Sequence, residues 1–369
     1  MSAALYAAAQ NETVLNRKGI RMGKLTMADI ARQAGVGKST VSRYFNNGYV
    51  SDEARTKISK VVQKTGFEPS VAAQNLRLKE THTIGIIAPT MTSVVTGRQL
   101  TAMDETLREA GYSCIIITTN HHPEREIAAI EYLRSLRLDG VILIATTIGK
   151  ELEALQKSSE VPFLVVGQEF ESGTSIVYDD YRAGKEVGQY ARRMGHEDIV
   201  YLGVTEKDEA VGRLRKQGVF DGLKQDGETV KIADMRETSF SYEDARVLTE
   251  QILDEHVPTL IICATDKIAL GACKAIQERG LRVPEDVSLI GFGGYEAGSL
   301  LTPSLTSVHF QNHEAGVLAA RTLISMIHGV PVGRMQLVGY TFDKGGSVLD
   351  RRAQAEDRAD SDGEKTQED

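Results

Sequence analysis

Lys38, Ser39, Ser42 and Arg43 fall on one face of a short helical segment, Lys38 to Phe45, whose other face carries Val41 and Phe45 one turn apart. Two cations and two hydroxyls on an exposed helix face are donors that can reach base edges and phosphates in a DNA major groove. The elements that must hold this face are legible around it. Thr26 is a good N-cap for Met27 to Ala34, and Gly35 supplies the turn that follows. Ala31 and Ala34 are small enough for two helices to cross closely, and Asn46-Asn47-Gly48 ends the second. A third helix, Asp52 to Thr65, places Ile58 and Val62 on one face. Two short helices joined by a tight glycine turn and braced by a third make a helix-turn-helix. A solvated three-helix bundle with no nucleic-acid role is the bland alternative. The run Gly35-Val36-Gly37-Lys38-Ser39-Thr40 also ends like a phosphate-binding P-loop. That motif needs a glycine where Arg32 stands and a strand where a helix stands, so it is discarded.

Charge supports a local nucleic-acid face on an otherwise acidic protein. The 369 residues carry a net charge of −8. From Lys24 to Glu80, ten lysines and arginines oppose five acids, a local +5 that leaves −13 for the remainder. A basic head can bind DNA while an acidic body is repelled by it. With 41% hydrophobic and 25% charged residues the composition is that of a globular protein, and its length predicts more than one domain. No apolar run reaches the roughly 18 residues of a membrane span. Ala3 to Ala9 lacks the basic flank and the length of a secretory signal. Cys114, Cys263 and Cys273 are too few and too scattered for a disulfide framework or a zinc site, which points to a reducing cytoplasm.

Along the chain, residues 1–23 show no period leading into a core. They are expected to be a disordered extension or the product of a mis-assigned start, with synthesis beginning at Met22. Residues 24–69 form the helix-turn-helix domain and 70–82 a hinge and linker. Residues 83–345 form the body, and 346–369 are expected to be a disordered acidic tail. In the body, the apolar runs 84-IGIIAP, 114-CIIIT, 141-VILIA, 161-VPFLVVG, 199-IVYLGV, 260-LIICATD and 287-VSLIGF alternate with amphipathic stretches. Those stretches are Arg98–Ala110, Glu124–Leu136, Tyr181–Met194, Leu214–Gln225, Tyr242–Leu253 and Ile268–Arg279. This alternation predicts an α/β body with parallel sheets covered by helices on both faces, in two doubly wound units. Ligands in such folds lie in the crevice at the carboxyl ends of strands.

Thr26-Met27-Ala28-Asp29-Ile30-Ala31, Ala34-Gly35-Val36, Ser39-Thr40-Val41-Ser42-Arg43, Val50-Ser51 and Gly66-Phe67-Glu68-Pro69 resemble the head of the LacI/GalR family of bacterial repressors. The resemblance continues from Leu25 to about Gly345. It implies that Lys38 and Ser39 discriminate operator bases and that Arg43 is the common base-contacting arginine. Thr26, Thr40, Ser42, Asn46 and Tyr49 would touch backbone or groove edges. Ser70-Val71-Ala72-Ala73-Gln74-Asn75-Leu76 looks like the family's hinge helix. There Ala73 would pack on a partner helix and Leu76 would wedge into the minor groove. Core packing is the alternative for Leu76, disfavoured on so polar a segment. Leu78 departs from the family, which usually has a small residue there.

The resemblance also implies two periplasmic-binding-protein-like subdomains, about 83–180 with 312–338 and 181–311 with 339–345, holding a small molecule between them. Arg215 falls on the family's effector-binding arginine, although by itself it reads as an exposed charge. Thr265 is the expected contact, and Asp266 is either a contact or the N-cap of the next helix. Thr90, Thr92 and Arg98 follow the first strand. Arg98 is expected to begin the first body helix, where it would pair with a phosphate or face solvent. Phe240 stands where an aromatic ring stacks on a sugar. Gly291-Phe292 is followed by Gly293-Gly294-Tyr295, where many sugar-binding members have an aspartate, and Gln168 replaces another acid. Fewer crevice acids would suit an anionic ligand such as a sugar phosphate, or a bulkier disaccharide. Tyr178-Asp179-Asp180 and Cys263-Ala264-Thr265-Asp266 resemble the disaccharide branch, sucrose-operon regulators first and trehalose regulators next.

Enzymatic readings find no support in motifs: there is no G-x-S-x-G, no H-E-x-x-H and no usable G-x-G-x-x-G. His121 and His122 read as solvated loop residues. The expectation is therefore a cytoplasmic, homodimeric, non-enzymatic repressor of a sugar-utilisation operon. Its partners are double-stranded operator DNA, a second copy and a small sugar or sugar phosphate, with no membrane, metal or other cofactor. Two alternatives stay open: a catabolite-control regulator activated by a protein corepressor, and a sugar-binding protein without regulation.

Overall fold

Thr26 and Asp29 close a capping box ahead of helix α1 (Met27–Ala34). The Thr26 N–H donates to Asp29 Oδ2 at 3.0 Å, and the Asp29 N–H donates to Thr26 Oγ1 at 3.4 Å. Gly35, at φ +65°, ends the helix in the left-handed region that glycine adopts without steric cost. Helix α2 (Lys38–Phe45) follows, and α3 (Asp52–Thr65) starts on a Ser51 cap. Ile30, Val41 and Ile58, one from each helix, are fully buried at the centre of this head. The computed structural model describes residues 25–46, 48–67, 81–157, 161–225, 228–229 and 232–353. The chain divides into two units, residues 1–81 and 82–369. The expectations for residues 1–23 and for the hinge, with Ala73 and Leu76, lie outside the described residues.

The second unit contains two six-stranded sheets. The first holds β1 (Thr83–Ala88), β2 (Ser113–Thr118), β3 (Gly140–Ile144), β4 (Phe163–Val166), β5 (Thr174–Tyr178) and β13 (Met335–Val338). Its order is β13-β5-β4-β3-β1-β2, parallel throughout. The second holds β6 (Ile199–Gly203), β9 (Ile232–Glu237), β10 (Leu260–Cys263), β11 (Ser288–Phe292), β12 (Thr306–Phe310) and β14 (Tyr340–Asp343). Its order is β14-β12-β11-β10-β6-β9, with β14 the one antiparallel member. A short hairpin, β7 (Lys224–Gln225) with β8 (Glu228–Thr229), stands apart. The chain passes between the sheets three times, after β5, after β12 and after β13.

All seven apolar runs are strands; six are buried on both faces, where strands read as continuous Val/Ile/Leu, and the seventh, β2, is a part-exposed edge strand. The helices of this unit are α4 (Val94–Glu109), α5 (Pro123–Ser135), α6 (Lys150–Lys157), α7 (Asp180–Arg193), α8 (Lys216–Gly222), α9 (Tyr242–Glu255), α10 (Asp266–Glu278), α11 (Glu296–Ser299) and α12 (Asn312–Ile327). Leu214–Gln225 is not one helix: a wide π-type helix, Glu209–Arg215, leads into α8, and β7 follows. Helices α7 and α8 touch backbone to backbone. A Cβ at Gly184 would overlap the carbonyl oxygen of Arg215, and one at Gly188 that of Val219, so only glycine permits this approach.

The expectation of a disordered tail from residue 346 is corrected for its first eight residues. Ser347 is buried: its Oγ donates to Leu289 O at 2.6 Å and accepts from Thr306 N–H at 2.8 Å, and its O accepts from Leu289 N–H at 2.8 Å. The Arg351 N–H donates to Met194 O at 2.8 Å. Residues 354–369 lie outside the described residues. Near this strap His196 is buried, with Nδ1 3.1 Å from Thr259 Oγ1. Burial, helped by the Arg351 charge, pushes its pKa down to about 4. The depressed folded value means that the neutral ring supports folding above pH ~6.5, and that this support is lost as pH falls toward 4. Urea midpoints at pH 7.5 and 5.0 should therefore differ more in the native protein than in His196→Gln. Equal differences would remove His196 from the acid response.

Candidate functional site

On the head, α2 presents its expected donors to solvent. Lys38, Ser39, Arg43 and Asn46 are exposed and Thr40 and Ser42 half-buried, while Val41 between them anchors the helix. Arg32 pairs with Asp29 and Lys57 with Glu53, whereas Lys38 and Arg43 have no ion-pair partner among the described residues. No acid stands in the first turn of α2, and its N-cap, Gly37, supplies no side-chain hydrogen bond. The helix therefore offers backbone N–H groups and a positive dipole end beside Lys38, an arrangement suited to phosphate oxygens. Tyr49 is 88% exposed, an unusual position for a large aromatic ring. Thr26 is exposed, but its hydroxyl already donates to Asp29 Oδ2 at 2.7 Å.

In the second unit a partly open cavity of about 340 Å³ is lined by residues from both sheets and their following loops. Thr90, Thr92, Gln168, Arg215, Phe240, Thr265, Gly293 and Tyr295 all line it. Arg98 and Asp266 do not. Helix α4 begins at Val94 under a Ser93 cap, so Arg98 is in its second turn rather than at its start. There its Nη1 donates to Gly294 O at 3.0 Å, a strut across the crevice. The N-cap of α10 is Thr265, not Asp266. Asp266 is buried behind the wall, accepting from Ser307 Oγ at 2.6 Å and from Tyr295 N–H at 2.7 Å, and so fixes the Gly293–Tyr295 loop.

Arg215 is the centre of the site. Far from an exposed charge, it is 6% exposed. Its guanidinium lies 4.9 Å from the ring centroids of both Phe292 and Phe310. Its Nε and Nη2 donate to Asp180 Oδ1 at 2.9 and 2.5 Å, and its Nη1 donates to Ala264 O at 2.5 Å. The π-type helix and the glycine contact of α7 with α8 set its backbone. Gln168 is equally committed. Its Nε2 donates to Thr146 O at 3.0 Å and to Asp208 Oδ1 at 2.9 Å, and its Oε1 accepts from Ala210 N–H at 3.2 Å. Because Gln168 follows the first sheet's β4 and Asp208 precedes the π-type helix of the second half, this is another cross-crevice link.

The expectation of a crevice depleted of acids is overturned. Asp180 and Asp208, neither of them anticipated, both line the cavity and are buried. Burial raises both carboxyls above the usual range. At Asp180 the Arg215 contact opposes that rise, and at Asp208 the Val211 N–H and the Gln168 amide do. His121, expected to be merely solvated, lines the cavity and stacks on Phe240 at 5.8 Å with planes 9° apart. One face of Phe240 is thus already covered. Gln99 and Asn312 were also missed: both are 2% exposed and line the cavity. Gln99 Nε2 donates to Tyr178 Oη at 2.6 Å.

Two family descriptions match this chain. One, for periplasmic binding proteins and the sugar binding domain of the LacI family, covers residues 81–344. The other, for bacterial regulatory proteins of the lacI family, covers residues 26–70. The sucrose operon repressor of Staphylococcus xylosus is 35% identical over 82% of this chain and 93% of its own. The ribose operon repressor of Escherichia coli strain K12 is 29% identical over 87% of this chain and 99% of its own. Among solved structures, the lac repressor dimer bound to operator and the anti-inducer ONPF superposes with a TM-score of 0.79 at 25% identity. That match covers 89% of this chain and all of the other. With both its head and its body matched in this way, the chain belongs to the LacI family of bacterial regulatory proteins.

Proposed function

We propose that this protein is a sequence-specific DNA-binding repressor of a sugar-utilisation operon, dimeric on a palindromic operator and released by a small saccharide held between its two sheets. One observation carries the reading. The same chain joins an exposed cationic face on α2, without ion-pair partners among the described residues, to a cavity walled by a committed Arg215–Asp180 pair. The first makes phosphate and base contacts. The second buries a small polar ligand among hydrogen-bonding side chains. A two-fold dimer follows from the small contact that one head offers and from the symmetry of a palindrome. The sucrose and ribose operon repressors above supply the precedent for sugar control, and the former favours a disaccharide. The relatives are transcriptional repressors rather than enzymes. Asp180 and Asp208, each tied into the wall, hold a ligand rather than turn it over, and no cofactor beyond that ligand is required. No helix among the described residues is long and apolar enough to cross a membrane, and the place of action is the cytoplasm, where the DNA is.

Contacts among the described residues cross the crevice, among them Arg98 to Gly294, Gln168 to both Asp208 and Ala210, Ser93 to Tyr295, and His121 on Phe240. A ligand that touches both walls strengthens this closed arrangement and shifts the population toward it. That shift releases the operator. A thermal-shift screen against sucrose, trehalose, maltose, glucose and fructose tests the ligand side. At least one should raise the melting temperature, since a ligand bound to the native state alone stabilises it. If none does while the protein still binds DNA, control passes to a protein corepressor instead.

A further inference from the structure

Building on the reading of the cavity as a saccharide site, we infer that its ligand is an uncharged polyhydroxyl compound, and that Asn312, seconded by Gln99, selects it against phosphorylated forms. Asn312 opens helix α12 and is 2% exposed, yet among the described residues neither its Nδ2 nor its Oδ1 has a hydrogen-bond partner. Gln99 Oε1, on the same cavity, is buried and unpartnered as well. Buried polar atoms are paired in the great majority of structures, and leaving them unpaired costs free energy. The wall of the cavity therefore holds one amide donor and two carbonyl acceptors that have no partner among the described residues. Turning the Asn312 amide over changes nothing, because both of its atoms are free.

A hydroxyl group both donates and accepts, so neighbouring sugar hydroxyls satisfy all three atoms. A phosphate dianion only accepts. Placed there, it would leave both carbonyl oxygens unpaired and set its own charge against them. Ionic balance points the same way. Among the lining residues the anions Asp180 and Asp208 face the cations Arg215 and Lys267. Three of the five N–H groups of Arg215, one on each nitrogen, are committed to Asp180 and Ala264, and its charge is matched by Asp180. Lys267 lies where the cavity meets an outer groove, whose wall it also forms. Among the described lining residues the cations are Arg215, matched by Asp180, and Lys267, so the cavity lacks the cluster of free cationic donors that a phosphate requires.

Titration calorimetry of the full chain with sucrose, trehalose, glucose and fructose, each paired with its 6-phosphate, tests the inference. At least one parent sugar should bind, and its 6-phosphate should bind at least tenfold more weakly. Asn312→Leu should weaken the parent sugar at least tenfold. Asn312→Asp, which keeps the volume and loses the donor, should do the same and stands in if the leucine variant fails to fold. A 6-phosphate that binds as tightly as its parent overturns the inference and leaves the saccharide reading standing. Unchanged sugar affinity in both Asn312 variants overturns the role of that residue. No binding by any of the eight probes overturns the inference and the saccharide reading together.

Discussion

Arg43→Ala loses specific operator binding by about two orders of magnitude while the cavity keeps its ligand. Arg43 is exposed and has no ion-pair partner among the described residues, so its removal leaves the head's Ile30–Val41–Ile58 core intact. A bidentate arginine contact to a base is worth about 1–3 kcal/mol, and a two-fold dimer makes it twice. The combined loss of about 2–6 kcal/mol spans roughly 30-fold to over ten-thousand-fold, at 1.4 kcal/mol per factor of ten. Non-specific affinity should fall far less, because the phosphate contacts of Lys38 and the α2 N-terminus remain. Anisotropy titrations on operator and on scrambled duplexes, with a melting curve for each protein, separate these effects. Operator affinity within threefold of the native protein would remove Arg43 from the interface.

Arg215→Ala is expected to lower folding stability by about 3–5 kcal/mol, because it strands a buried carboxylate. Asp180 is 2% exposed and its Oδ1 receives both hydrogen bonds from Arg215. The variant also removes the cation between the Phe292 and Phe310 rings and the donor to Ala264. Response to ligand should vanish with it. If the cost is electrostatic, Asp180→Asn in the Arg215→Ala background should restore part of the lost stability, since it removes the uncompensated charge. Urea unfolding of the two single variants and the double variant measures this coupling. A loss below about 1 kcal/mol in the single variant, or a double variant weaker still, would contradict the account of this pair.

The head was legible because its signals are local. Thr26 and Gly35 bracket α1 within a few residues of sequence, whereas the Asp29 half of the capping box and the Ser51 and Gly66 ends of α3 emerge only in the structure. The central strands were legible for the same reason, as unbroken apolar runs. Strands β5, β9, β12, β13 and β14 are not legible in this way: β13 (Met335–Val338) is a half-exposed edge strand that mixes in polar residues, and the buried β5 and β12 carry Thr, Ser and His within five residues, too short and too polar to read as apolar runs. In the cavity, errors of one residue mattered most. Arg98 was singled out, yet its neighbour Gln99, turned about 100° around the helix, faces the cavity. Asp266 was weighed as an N-cap, yet that place belongs to Thr265. Asn312 and Asp208 gave no signal, because a polar residue at a helix start reads as a cap or a solvated side chain. Only the fold, through its three passages between sheets, brings them together with Arg215.

The most direct test of the account is one anisotropy experiment on the full-length protein. A random-duplex library is first selected for binding, and the enriched duplex is then titrated with protein in the absence and presence of saturating sugar identified by the thermal-shift screen. The expected result is a two-fold symmetric enriched site, bound with strong salt dependence and released when the sugar is added. Enrichment of no common sequence, or an operator complex indifferent to a sugar that demonstrably binds the cavity, would contradict it.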